Sequence, residues 1–231
     1  EGSWLSIWFG DRDMGWGYGF KCPTEDFVQA FEPNDTRLEA SVVFDGEMIP
    51  GTFGGAPHDF TGGSWNPPTG YMSQKYLIPD NERPITADCN GNIDYIFMRY
   101  ADLLLIHAEA SMELGDETAA KSSLALIRLR AGLSAYPDAA TISSYKETSL
   151  LGHPELKAVV YHERRVELGL EHDRFYDLVR WGDASVVFQN FDHLGLTFGK
   201  TNFVENCSEL LPIPYYDIQS SNNLITQNPC Y

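Results

Sequence analysis

No stretch of this chain carries the roughly 20 consecutive apolar residues that a membrane-spanning helix needs. The longest run, Leu103 to Ile106, is flanked by Asp102, His107 and Glu109. There is no secretory leader either: residue 1 is Glu, with no basic start and no apolar core after it. The chain is therefore expected to begin downstream of its biological start. Basic residues are scarce, 16 Lys and Arg against 33 Asp and Glu, for a net charge of −17. A field of that sign repels phosphate backbones and anionic lipid, so no nucleic acid is expected as a partner. Cysteine is sparse as well. Cys22, Cys89, Cys207 and Cys230 form no CxxC pair, which argues against zinc and leaves disulfides and isolated thiols both open. GxSxG, the phosphate-binding P-loop and the dinucleotide fingerprint are all absent. "GWGYG" spaces Gly15, Gly17 and Gly19 two apart with no helix following. In "HERRV", Val166 stands where a zinc-protease helix needs its second histidine. No cofactor is expected.

What the chain does have is aromatic residues, 13% of 231, unevenly spread over three zones. Residues 1–98 are rich in Gly, Pro, Asn and rings. Short strands are expected within "RLEASVVF" and "YMSQKYLI", joined by "DGEMIPGTFGGAPHDFTGGSWNPPTG", a connection longer than a compact domain usually tolerates without purpose. Residues 99–182 read as a helical scaffold. Leu104, Ala108 and Met112 repeat every four residues along one helix, with Ala101, Leu105 and Ile106 beside them. Ala120, Leu124, Ile127 and Ala131 line the next. Gly115 is expected to end the first helix and Asp116 to cap the second. So short a joint makes the pair an antiparallel, tetratricopeptide-like hairpin. A third helical segment starts at Pro154 and runs through "PELKAVVYHERRVELGLEHDRFYDLVRWG". Residues 183–231 return to irregular structure. The whole is expected to be mainly α, one domain with an irregular, loop-rich ligand-presenting region.

Three constellations could carry chemistry. Leu156, Val160, Glu163, Glu167 and Leu170 share one helical face, placing two carboxylates inward, as a glycosidase acid and nucleophile would be. A general acid needs a raised pKa, however. The surrounding Arg164, Arg165, Arg174 and Arg180 bring positive charge that lowers it, and arginine forks suit a structural network. In "DCNGNID", Asp88, Asn90, Asn92 and Asp94 alternate faintly like a calcium loop, but Gly91 is one place out of register and Asn90-Gly91 is a turn signal. The third is the aromatic connection. There Phe53, Phe60 and Trp65 can stack on the apolar face of a sugar ring while His58 and Asn66 bond its hydroxyls. These five residues are the expected ligand contacts. Trp4, Trp8, Trp16 and Tyr18, among the opening glycines, read either as a platform for stacking a ligand or as rings that plug a core.

Six stretches, in order, resemble the SusD/RagB family of surface glycan-binding lipoproteins from Bacteroidetes nutrient-uptake systems. They are "PTEDFVQAFEPNDTRL", "TGYMSQKY", "RYADLLLIHAEASMELGD", "ALIRLRAGL", "ERRVELGLEHDRFYDLVRWG" and "LPIPYYDI…LITQNPCY". The resemblance implies a fold with tetratricopeptide-like helix pairs and no catalysis. It implies capture of oligosaccharide or polysaccharide for a SusC-like TonB-dependent transporter at the outer membrane. It also implies a lipid anchor, and a missing N-terminal half of which this chain is the C-terminal complement. A minority of the family serves peptide nutrients, and a glycoside-processing enzyme using Glu163 and Glu167 is the contrasting class. Two positions depart from the family pattern: "EHDR" at His172 and Asp173, and Cys230 where a glycine is usual.

Overall fold

The computed structural model describes residues 5–10, 12, 17–49, 51, 54, 67–82, 93–190, 203–222 and 224–231. The chain divides into two compact units, Glu1–His172 and Asp173–Tyr231.

The first unit opens with three short helices, α1 (Leu5–Phe9), α2 (Glu25–Val28) and α3 (Arg37–Ser41). Thr24 starts α2 by accepting a hydrogen bond from the Phe27 amide at 3.3 Å. α3 runs straight into β1 (Val42–Val43), which pairs antiparallel with β2 (Met72–Ser73), Val42 facing Ser73 and Val43 facing Met72. Sequence patterning predicts strand across "RLEASVVF", but its first five residues are helix. Leu38, Glu39 and Ala40 are strong helix formers, and only the β-branched Val42–Val43 pair is strand. Val43, Met72 and Ile49 form a small buried cluster with Leu77 against it.

The scaffold follows as α4 (Tyr100–Glu113) and α5 (Glu117–Arg130). Gly115 takes the left-handed conformation, φ +80°, that ends a helix, and the Asp116 carboxylate accepts from the Ala119 amide at 3.0 Å to begin the next. The two helices pack on each other as the expected hairpin. On α5 the expected face is the buried one: Ala120, Leu124, Ile127, with Ala131 following. On α4 the buried face is Ala101, Leu105, Ala108 and Ser111, not the stripe through Leu104 and Met112. Small residues face inward because the helices approach closely there.

Two short helices, α6 (Ala139–Ser144) and α7 (Lys146–Ser149), lead to α8 (Glu155–Glu167), which packs against α4, α5, α6 and α7. From Ala158 to Glu167 every residue of α8 is buried, including Glu163, Arg164, Arg165 and Glu167. The expected long third helix stops at Glu167. Leu170 and His172 take positive φ, +68° and +83°, so Leu170 leaves the helical face assigned to it by periodicity. Gly169 lies against the Phe27 ring, so close that no Cβ would fit.

The second unit holds α9 (Arg174–Trp181), ended by left-handed Gly182, then α10 (Ala184–Gln189) and α11 (Tyr215–Ser220). Its last residues fold back on the Leu210–Pro214 segment. Gln227 exchanges two hydrogen bonds with the Ile213 backbone (2.8 and 2.9 Å), Asn228 donates to the Leu211 carbonyl, and Tyr231 to that of Leu210. A disulfide between Cys207 and Cys230 closes the same loop. Cys230 has φ +72°, the conformation that favours glycine, so the cysteine occupies a glycine-type turn and cross-links it. The Cys22 thiol donates to the Gly19 carbonyl.

Candidate functional site

The long aromatic connection leaves from β1 and returns at β2, so the two-stranded ladder closes its base. Phe44 and Tyr71, the residues just beyond the ladder, meet edge to face with ring centroids 5.5 Å apart. The Tyr71 hydroxyl donates to Glu25 at 2.5 Å. Both stems are then fastened to the end of α8. On the outgoing side, Arg37 donates to Glu163 at 2.5 Å and to Glu167 at 3.1 Å, and forms a two-pronged pair with Asp35. On the returning side, the Lys75 ammonium donates to the carbonyls of Glu167 (3.1 Å) and Gly169 (2.7 Å) and to the Glu171 carboxylate (2.6 Å). Two of these bonds thus satisfy carbonyls left over at a helix C-terminus, and the ammonium places a cation where the helix dipole favours one.

Glu163 and Glu167, the inward pair anticipated from spacing, are both buried. Their partners are not the arginines beside them in sequence. Arg164 turns to Asp102, Arg165 to Asp26 and Arg180 to Asp177. Glu163 is instead held by Arg37 and the fully buried Arg128, which also grips Glu32 at 2.7 and 3.0 Å. Glu167 receives Arg99 at 2.5 Å, Arg130 at 2.6 Å and Arg37. These cations come from α3, α5 and the residue before α4, too far along the chain for local pattern to pair them. Burial alone would raise the Glu167 carboxyl, but Arg99, Arg130 and Arg37 outweigh it and hold it down to about 2. Burial likewise works against ionised Glu171, and Arg99 with Lys75 bring its pKa below the usual range. A general acid needs the opposite shift. The arrangement is an ion-pair clamp.

The expected ligand contacts Phe53, His58, Phe60, Trp65 and Asn66 lie outside the described residues, as do Asp88, Asn90 and Asn92 of the calcium-like turn; Asp94 is exposed. Among the described residues no cluster of His, Cys, Asp and Glu could hold a metal ion. Trp4 and Trp16 also fall outside. Trp8 is half exposed, and Tyr18 and Phe20 are exposed and stack with centroids 6.0 Å apart. Backbone bonds from Tyr18, Gly19 and Phe20 to Ile7, Gly10 and Trp8 hold that segment on α1. Among the described rings of this stretch, Phe9 is buried and packed against Tyr76 and His172.

This is a mainly helical protein on a tetratricopeptide-like hairpin, with a long connection clamped to its most buried helix. The chain belongs to the SusD family, whose model matches residues 11–231. SusD-like protein P2 of Formosa agariphila is 34% identical over 142 residues, 61% of this chain and 26% of that protein. A SusD-like protein from Bacteroides fragilis superposes with a TM-score of 0.73 at 24% identity, over 98% of this chain and 51% of that one. A laminarin binding SusD-like protein superposes at 0.69 with 26% identity, over all of this chain and 45% of its own. The chain therefore spans about half the length of those structures and about a quarter of that curated relative.

Proposed function

We propose that this chain is part of a non-catalytic surface protein that binds an oligosaccharide or polysaccharide and passes it to a SusC-like TonB-dependent outer-membrane transporter. In the whole protein a further, N-terminal half supplies the rest of the binding face and a lipid anchor. The observation that carries the reading is the likeness, over the full length of this chain, to a SusD-like protein that binds laminarin. Three features of the molecule support it. The aromatic connection has both stems clamped, as a preorganised binding surface requires. The carboxylate pair is tied up by four arginines, which disfavours hydrolysis. The Cys207–Cys230 disulfide suits an oxidising compartment outside the cytoplasm.

Native affinity electrophoresis through gels containing laminarin and a panel of other neutral polysaccharides tests this. Retardation by at least one glycan is expected, weakened at least tenfold by Trp65→Ala with the melting temperature unchanged. Migration unaffected by every glycan would overturn it. So would release of reducing sugar that Glu163→Gln abolishes.

A further inference from the structure

The turn that follows α8 brings two basic side chains into hydrogen-bond contact. The chain leaves α8 through two left-handed residues, Leu170 (φ +68°) and His172 (φ +83°), and histidine is among the residues that tolerate that conformation. The turn sets the His172 imidazole against the rings of Phe9 and Tyr95, with centroids 5.9 and 5.7 Å away. Lys21 reaches the same place from the opening of the chain. Its ammonium lies 2.6 Å from His172 Nδ1, 3.3 Å from the Leu170 carbonyl and 4.9 Å from the centre of the Phe9 ring.

An ammonium has donors and no acceptor, so this contact needs a lone pair on Nδ1, and the neutral ring carries its proton on Nε2. Nε2 is itself buried, with no hydrogen-bond partner among the described residues. A second proton would set donor against donor and two cations side by side. The neighbouring anion, Glu171, is already bonded to Arg99 and Lys75. Burial first, and then the Lys21 charge, hold the imidazole below its ordinary 6.5, against an upward pull from Glu171. A histidine kept neutral in this way stabilises its surroundings above pH 6.5. That contribution is lost as pH falls from there through the lower value of the folded state.

The pair ties down the opening segment. Tyr18, Gly19 and Phe20 donate backbone bonds of 2.7 to 2.9 Å to Ile7, Gly10 and Trp8, so they are held together with α1. We propose that Lys21 and His172 form an acid-sensitive latch, which fastens α1 and residues 17–22 to the turn after α8 and lets go when His172 takes a second proton. The segment so held carries the exposed ring pair of Tyr18 and Phe20, and acid changes how that pair is presented. The latch stands apart from the glycan reading.

The test follows the His172 ring nitrogens and backbone hydrogen exchange by NMR on the full chain, from about pH 8 to about pH 5. The Nε2-protonated neutral ring is expected at the upper end, with a second proton taken up below 6.5. In step with it, the protection factors of the Tyr18, Gly19 and Phe20 amides should fall by about tenfold or more. His172→Asn keeps an acceptor and suits the left-handed turn but cannot titrate, so its protection factors should stay level across the range. Lys21→Met removes the facing charge, and the His172 titration should move up toward 6.5, a response that a merely packing role for Lys21 would not give. A neutral ring protonated on Nδ1, or a titration at or above 6.5 in the unaltered chain, overturns the latch. So do protection factors indifferent to His172 protonation, or an equal acid loss in His172→Asn. Should His172→Asn fail to fold, the tautomer and the Lys21→Met titration decide the matter.

Discussion

Single residues show how far chemistry here is set by partners rather than by type. Glu167 is a carboxylate on a buried face, and alone it would protonate. With Arg99, Arg130 and Arg37 around it, its pKa falls to about 2. A depressed carboxylate stabilises the fold above its unfolded pKa near 4.5 and loses that contribution as pH falls through about 2. The shift is of order 3 kcal/mol. Urea unfolding from pH 6 downward should show stability falling between those two values, and Glu167→Gln should flatten that segment of the profile. Gly169 is a second case. A methyl there meets the Phe27 ring and lies 2.9 Å from the Arg165 carbonyl, so Gly169→Ala should cost about 1–3 kcal/mol. Phe27→Ala in the same background should recover part of it in a double-mutant cycle. The Cys207–Cys230 bridge spans 23 residues, and its reduction should destabilise the second unit by about 3 kcal/mol on chain entropy. An identical denaturation curve with and without reductant would contradict this.

Among the elements, α8 does the organising. It is buried nearly all round, yet half of its ten buried residues are His, Glu or Arg. That is tolerable because α3, α5 and the residues flanking α4 and β2 each bring a cation to it. Two of those cations, Arg37 and Lys75, sit on the stems of the aromatic connection. Removing one partner of a buried pair leaves an uncompensated charge and costs about 3 kcal/mol or more. Arg37→Met and Lys75→Met should therefore lower the melting temperature. They should also speed proteolytic cutting between residues 44 and 71 and weaken laminarin retention. Cutting elsewhere in the chain first, with the connection intact, would show that the stems are held by something else. The helix hairpin needs no such device: Gly115, Asp116 and small inward residues on α4 define it locally.

For the whole molecule, the net charge of −17 sets conditions rather than contacts. It favours solubility and keeps polyanions away. A neutral glycan feels little of that field, so laminarin retention should change by less than about twofold between roughly 50 and 500 mM salt. A steep salt dependence would point to a charged ligand instead.

Local signals in the sequence determined the fold class, the hairpin with its caps, the inward direction of Glu163 and Glu167, and the family. These rest on periodicity and on cap and turn residues, which act within a few positions of one another. The proposed site was legible only as composition: rings, His and Asn in an overlong connection. Tertiary structure decided the rest. It chose Arg37, Arg99, Arg128 and Arg130 over the arginines neighbouring the glutamates. It stopped the third helix at Glu167, where Lys75 and Arg99 take up the free carbonyls. It joined Cys207 to Cys230. Each of those outcomes depends on groups brought together from distant parts of the chain, and a buried charge is satisfied by whatever the fold places beside it.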